Sequence, residues 1–124
     1  MKIAYIFVRT LLGLLLLFAS LTYFIIHPEP EHTGAMKLFT DGLKAAVYIM
    51  PIVKTIELFV GLAFVSGRYV SLATVVIAPI VVNIVGVHIF LEPTGLPIAL
   101  GVLAATLFVA YYNRENYRSL FVAR

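Results

Sequence analysis

Apolar residues gather into four long runs separated by short polar punctuation. The runs extend from about Ile3 to Ile26, Ala45 to Ser66, Tyr69 to Leu91 and Leu96 to Tyr112. A helix needs roughly 17–25 apolar residues to cross a hydrocarbon core. Three runs clear the lower bound easily and the fourth just meets it. Backbone N–H and C=O groups find no water inside lipid, so each run is expected to be a helix. None shows the alternation of an outer-membrane β-strand. The pattern predicts an all-α fold, a single domain over residues 1–124 built as a four-transmembrane-helix bundle.

The connections differ in length. Ser66–Arg68 and Glu92–Gly95 are tight turns, which makes their flanking helices antiparallel neighbours. The first connection, His27–Leu43, opens with the stiff polar stretch His27-Pro28-Glu29-Pro30-Glu31-His32. Met36, Phe39 and Leu43 then recur at i, i+3 and i+7, with Lys37 and Asp41 between them. That spacing predicts a short amphipathic helix lying on the membrane surface.

Composition agrees with a lipid environment. Of 124 residues, 62% are hydrophobic and only 12% charged, and the mean hydropathy is +1.05. Soluble domains are about half apolar and about a quarter charged. A chain this short has too little interior to hide so much apolar surface. A soluble enzyme, a disordered tail and a nucleic-acid-binding domain are therefore excluded, and the lipid bilayer is the expected surrounding. There is no cysteine, which removes disulfides, thiolate catalysis and iron–sulfur ligation. Gly-rich phosphate loops, nucleophile elbows and HExxH helices are also absent from the sequence.

Basic residues set the expected orientation. Lys2, Arg68, Arg114, Arg118 and Arg124 fall on one side, with Arg9 just inside it. Only Lys37 and Lys44 fall on the other, beside Glu29, Glu31, Asp41 and Glu92. This imbalance places both termini in the cytoplasm and the amphipathic segment in the first extracytoplasmic loop. Tyr111, Tyr112 and Tyr117 then sit at the inner interface, which suits amphipathic rings. The first span resembles a signal peptide only superficially. Arg9 interrupts its start and bulky Phe18 stands where cleavage wants a small residue, so a retained helix is expected.

Three charges lie within the spans: Arg9, Lys54 and Glu57. Each costs ~2.5–3.5 kcal/mol at a helix centre. The second span carries two, so ~5–7 kcal/mol opposes its insertion, against ~4–7 kcal/mol from its dozen strongly apolar residues. That helix inserts well only if its charges meet protein. At ~100° per residue, Arg9, Gly13, Ser20 and Tyr23 share one face of the first helix. Met50, Lys54, Glu57 and Gly61 share one face of the second, and Pro79, Asn83, Gly86 and Phe90 one face of the third. On the fourth, Gly101, Ala105, Phe108 and Tyr112 align. Those faces are assigned to the bundle interior. Arg9, with its long side chain, is expected to reach Glu57, and Asn83 lies level with Lys54. The candidate ligand-binding set is Arg9, Lys54, Glu57 and Asn83, with His88 near the end of the third span. The plainer reading is a charge network that fixes helix register, with His88 bonded to a loop carbonyl. Pro51 and Pro79 are each expected to free a carbonyl, of Val47 and Val75. His27, Glu29, Glu31 and His32 match no metal-site spacing and read as a solvated turn, so no metal is expected.

These residues resemble a known family. Arg9-Thr-Leu-Leu-Gly13 looks like the opening of DoxX-like proteins. Pro51-Ile-Val-Lys-Thr-Ile-Glu57-Leu-Phe-Val-Gly61, followed by Ser66-Gly67-Arg68, resembles their second-helix signature. Ala78-Pro79-Ile-Val-Val-Asn83 and His88-Ile-Phe90 resemble the third. Many members carry a second Gly and a Lys late in the first helix, where this chain has Ser20 and Tyr23. The resemblance implies a multi-pass protein of the bacterial inner membrane, an accessory or small subunit of a membrane redox system. A quinone or lipid-like molecule is the implied ligand, with no covalently bound cofactor. A redox-enzyme or other membrane-protein partner is the implied association. Apart from the resemblance, a homodimer is a further expected association, and without a cofactor motif or cysteine the isolated chain is not expected to carry out electron chemistry by itself. A structural or assembly factor is the alternative expectation, and a small transporter a third.

Overall fold

A computed structural model describes residues 1–28 and 31–123. Glu29 of the polar connection and Arg124 of the basic set lie outside the described residues. The described residues form five α-helices: α1 (Lys2–Ile25), α2 (Gly34–Ala45), α3 (Ile49–Ser66), α4 (Val70–Phe90) and α5 (Leu96–Tyr112). Short 3₁₀ segments cover Pro93–Gly95 and Arg114–Phe121. Four helical stretches are long and apolar enough to cross a membrane: α1, α3, α4 and Pro93–Tyr112. These are the four expected spans.

The second span starts at Ile49, not Ala45, because α2 runs to Ala45 and a bend follows. That shift changes the role of Pro51. It falls in the first turn of α3, where a backbone N–H would have no intrahelical partner. The expected loss of a bond to Val47 therefore does not occur inside the helix. Pro79, by contrast, sits well within α4.

Helix α1 packs on α3, α3 on α4, α4 on α5, and α5 closes back onto α1. Each helix thus touches its neighbours around a ring. The N-terminus of α1, the α3–α4 turn and the C-terminus of α5 gather at one end, here the terminal end. The α1–α3 connection and the α4–α5 turn form the loop end. The core between the helices holds Leu12, Leu16, Val60, Phe64, Ile77, Val81 and Val109. The outside is equally apolar, with Phe7, Leu14, Phe18, Phe59, Val82 and Leu107 all exposed. Helices that are apolar on both the inner and the outer face are compatible with a lipid surrounding.

The α1–α3 interface is the closest because two glycines cross there. A Cβ on Gly13 would lie 2.9 Å from the Phe64 Cβ, and one on Gly61 would lie 3.0 Å from the Gly13 carbonyl oxygen. Only bare backbone fits. The buried hydroxyls are satisfied within their own helices: Ser20 donates to the Leu17 carbonyl, Thr74 to Val70 and Thr106 to Val102.

The terminal end is tied by rings and amides. Tyr5 stacks on Tyr112 with centroids 3.8 Å apart, and the Asn113 amide donates to the Tyr5 hydroxyl. Asn116 donates to the Ser71 hydroxyl and Tyr117 to the Ser71 carbonyl, fastening the last 3₁₀ segment to α4.

Two of the four expected inward faces do point inward. Gly13 and Ser20 of α1 and Glu57 and Gly61 of α3 are buried. On α5 the face is split, with Gly101 exposed while Ala105, Phe108 and Tyr112 are half-buried. On α4 the expectation is reversed. Pro79, Asn83 and Phe90 are exposed and Gly86 is half-buried, and the buried residues are Val70, Ala73, Thr74, Ile77 and Val81. Helix α4 is apolar nearly all round, so hydropathy gave it no preferred rotation. Branched side chains packing against α3 and α5 set it instead.

Candidate functional site

The loop-end half contains a cavity of about 460 Å³ between α1, α2 and α3. Its polar lining is Tyr23 from α1, His27 and His32 from the connection, Thr40 and Lys44 from α2, and Lys54 from α3. Ala19, Leu43, Val47 and Met50 supply the apolar part. Helix α2 reaches this position because it is amphipathic. Met36, Phe39 and Leu43 are half-buried, while Lys37 and Asp41 pair on the exposed face at 3.2 Å.

Lys54 and Glu57 form the base of this region. The Lys54 ammonium donates to Glu57 Oε2 at 3.2 Å. The two are three residues apart, so helical geometry alone brings them together. Glu57 is only 4% exposed. The Lys54 Nζ also stands 6.0 Å from the centre of the Tyr23 ring, within range of cation–π attraction. Lys54 lies ~8 Å and Glu57 ~12 Å along α3 from its loop end. The acid is thus the deeper partner, and the base faces the cavity.

Arg9 does not join them. Its guanidinium lies against Gly67 in the α3–α4 turn, where a Cβ would come within 3.1 Å of it. Gly67 also caps α3 in the left-handed region, with φ 77, so glycine is required there on both counts. Ten residues separate Gly67 from Glu57, a rise of ~15 Å along the helix. The expected Arg9–Glu57 contact is therefore absent, because the long arginine side chain runs toward the terminal end, as snorkelling predicts. There it lies over the Tyr5 ring at 5.3 Å, with its Nε buried and, among the described residues, without a hydrogen-bond partner.

Asn83 does not join them either. It is level with Lys54 in depth but on the exposed side of α4. His88 bonds through Nδ1 to the Ile84 carbonyl at 2.8 Å, and its ring fills the space beside Gly95. The acceptor is a carbonyl one turn back in α4 itself and not the expected loop carbonyl, and the ring beside Gly95 braces the α4–α5 turn. His32, read in the sequence as part of a solvated turn, approaches Glu92 at 3.7 Å and links the first connection to the α4–α5 turn.

The structure places Lys54 on the cavity wall with Glu57 paired behind it, and Arg9, Asn83 and His88 elsewhere. Sequence reasoning missed Thr40, Lys44 and His32 as cavity residues. For Thr40 and Lys44 the signal was the amphipathic period of α2, which showed that α2 would lie on something but not on what; His32, before α2, had no such signal. No family model, characterised protein or solved structure matches this chain.

Proposed function

We propose that this chain is a DoxX-like integral membrane protein that binds the head group of a quinone or lipid-like amphiphile in the cavity above Lys54 and Glu57. It acts as an accessory or small subunit of a membrane redox system. Both termini face the cytoplasm of a bacterial inner membrane, and α2 roofs the cavity on the outer side. The observation that carries the reading is the buried Lys54–Glu57 pair opening into a space of about 460 Å³ with mixed polar and apolar walls. Intramembrane charges are costly and commonly mark functional pathways. Lys54 and Tyr23 suit a carbonyl-bearing ring, since one donates a hydrogen bond and the other stacks. Leu43, Val47 and Met50 suit the start of an isoprenoid or acyl tail. The chain supplies binding and anchoring, and electron transfer belongs to its partner.

The test is extraction and mass spectrometry of the protein purified gently from its own membranes. Isoprenoid quinone is expected to co-purify with the unmodified chain and to fall several-fold with Glu57→Gln and with Lys54→Met. Absence of any small molecule from all three, or equal retention by all three, overturns the reading.

A structural or assembly role is the second reading. It is favoured by the fact that Lys54 and Glu57 already satisfy each other, and by Leu38 standing exposed on α2 as a contact for a partner. On this reading, replacing both charges together leaves function intact.

A further inference from the structure

The outward face of α4 carries a polar group that lipid cannot satisfy. Asn83 is exposed, ~160° around the helix from buried Val81. It lies ~20 Å from the Val70 end of α4 and ~10 Å from the Phe90 end, within the hydrocarbon. Among the described residues, the α4 side chains that donate hydrogen bonds are Thr74 and His88. The Asn83 amide is not among them. It carries two N–H donors and one carbonyl acceptor, and acyl chains offer neither complement.

The surface around it allows close approach. Gly86, one turn toward Phe90, has no atom within 4 Å of the position a Cβ would occupy. Toward the terminal end, Leu72 and Val76 continue the same face and border a shallow apolar groove of about 370 Å³ between α3 and α4. Phe59 stands exposed at its margin. The face therefore combines a hydrogen-bonding centre, a small residue beside it and an indented apolar flank. Such surfaces associate in membranes through packing and interhelical hydrogen bonds.

We propose that two copies of this chain pair through α4, the Asn83 amide of each donating to the carbonyl oxygen of the other. An amide is its own complement, so a two-fold axis along the membrane normal brings equal residues to equal depth and satisfies both. A second copy is thus the partner the geometry matches without any further requirement. The pairing is independent of the ligand proposed for the cavity, which lies between α1, α2 and α3.

The full-length chain, fluorescently labelled in lipid vesicles, tests this by counting photobleaching steps across a dilution series. The unmodified chain is expected to bleach mainly in two steps. Asn83→Leu is expected to raise the dissociation constant at least tenfold, while Asn83→Gln, which keeps the amide, stays dimeric. Leucine suits a lipid-facing position, and monodisperse elution of each variant checks its fold. Because the chain has no cysteine, Gly86→Cys is expected to cross-link on oxidation, and Leu14→Cys on the exposed side of α1 is not. A monomeric unmodified chain overturns the proposal, including one that instead binds a different membrane protein. A dimer unaffected by Asn83→Leu, or equal cross-linking at the two cysteine positions, does the same.

Discussion

Helices α1 and α3 turn their exceptional residues toward one another, whereas α4 turns its own away. On the first pair, Gly13, Gly61, Ser20 and Glu57 are all buried in the shared interface. On α4, Pro79 and Asn83 face outward and Ile77 and Val81 form the packed side. Charge explains the difference. An ionised Glu57 facing acyl chains costs several kcal/mol, so the rotation of α3 is strongly determined. The neutral amide of Asn83 is cheaper to leave outside, and β-branched residues occupy every other side of α4. Packing was then free to choose its rotation. A polar residue inside a span thus reports the inward face reliably when it is charged, and less reliably when it is neutral.

The sharpest way to break the contrast is to crowd the α1–α3 crossing. Gly61→Val would force a Cβ to 2.9 Å from Leu17 and 3.0 Å from the Gly13 carbonyl oxygen. A loss of roughly 3 kcal/mol or more is expected, since the obstruction is backbone and cannot repack. Denaturant unfolding in mixed micelles measures it. An unchanged midpoint would mean that the two helices do not cross at these glycines.

Next in size is the buried ion pair. Glu57→Leu leaves Lys54 uncompensated and is expected to cost about 3 kcal/mol, whereas the double exchange Lys54→Met with Glu57→Leu is roughly neutral for folding. The same unfolding assay, arranged as a double-mutant cycle, reads the coupling. Additive single effects would show that the two residues do not depend on each other.

The smallest effect belongs to the outward side. Gly101→Ala on α5 meets open space and is expected to stabilise the bundle by up to ~1 kcal/mol through improved helix propensity. A clear destabilisation there would reveal that this part of α5 is covered in the membrane. The opposite signs expected at Gly61 and Gly101 distinguish a glycine that permits contact from one that merely lies in a helix.

Much of the architecture was readable from residue order. Four spans of sufficient length, the tight turns at Ser66–Arg68 and Glu92–Gly95 and the amphipathic period of Met36, Phe39 and Leu43 each follow from local pattern. Lys54 and Glu57 were readable as a pair because three residues of helix place them together whatever the rest of the chain does. Three-dimensional packing alone decided the direction of Arg9, the rotation of α4 and the roof that α2 makes over the cavity. Those choices depend on residues far apart in sequence. A flexible arginine takes the nearest polar end available to it, an evenly apolar helix has no rotation until its neighbours supply one, and the approach of His32 to Glu92 exists only once the ring of helices has closed.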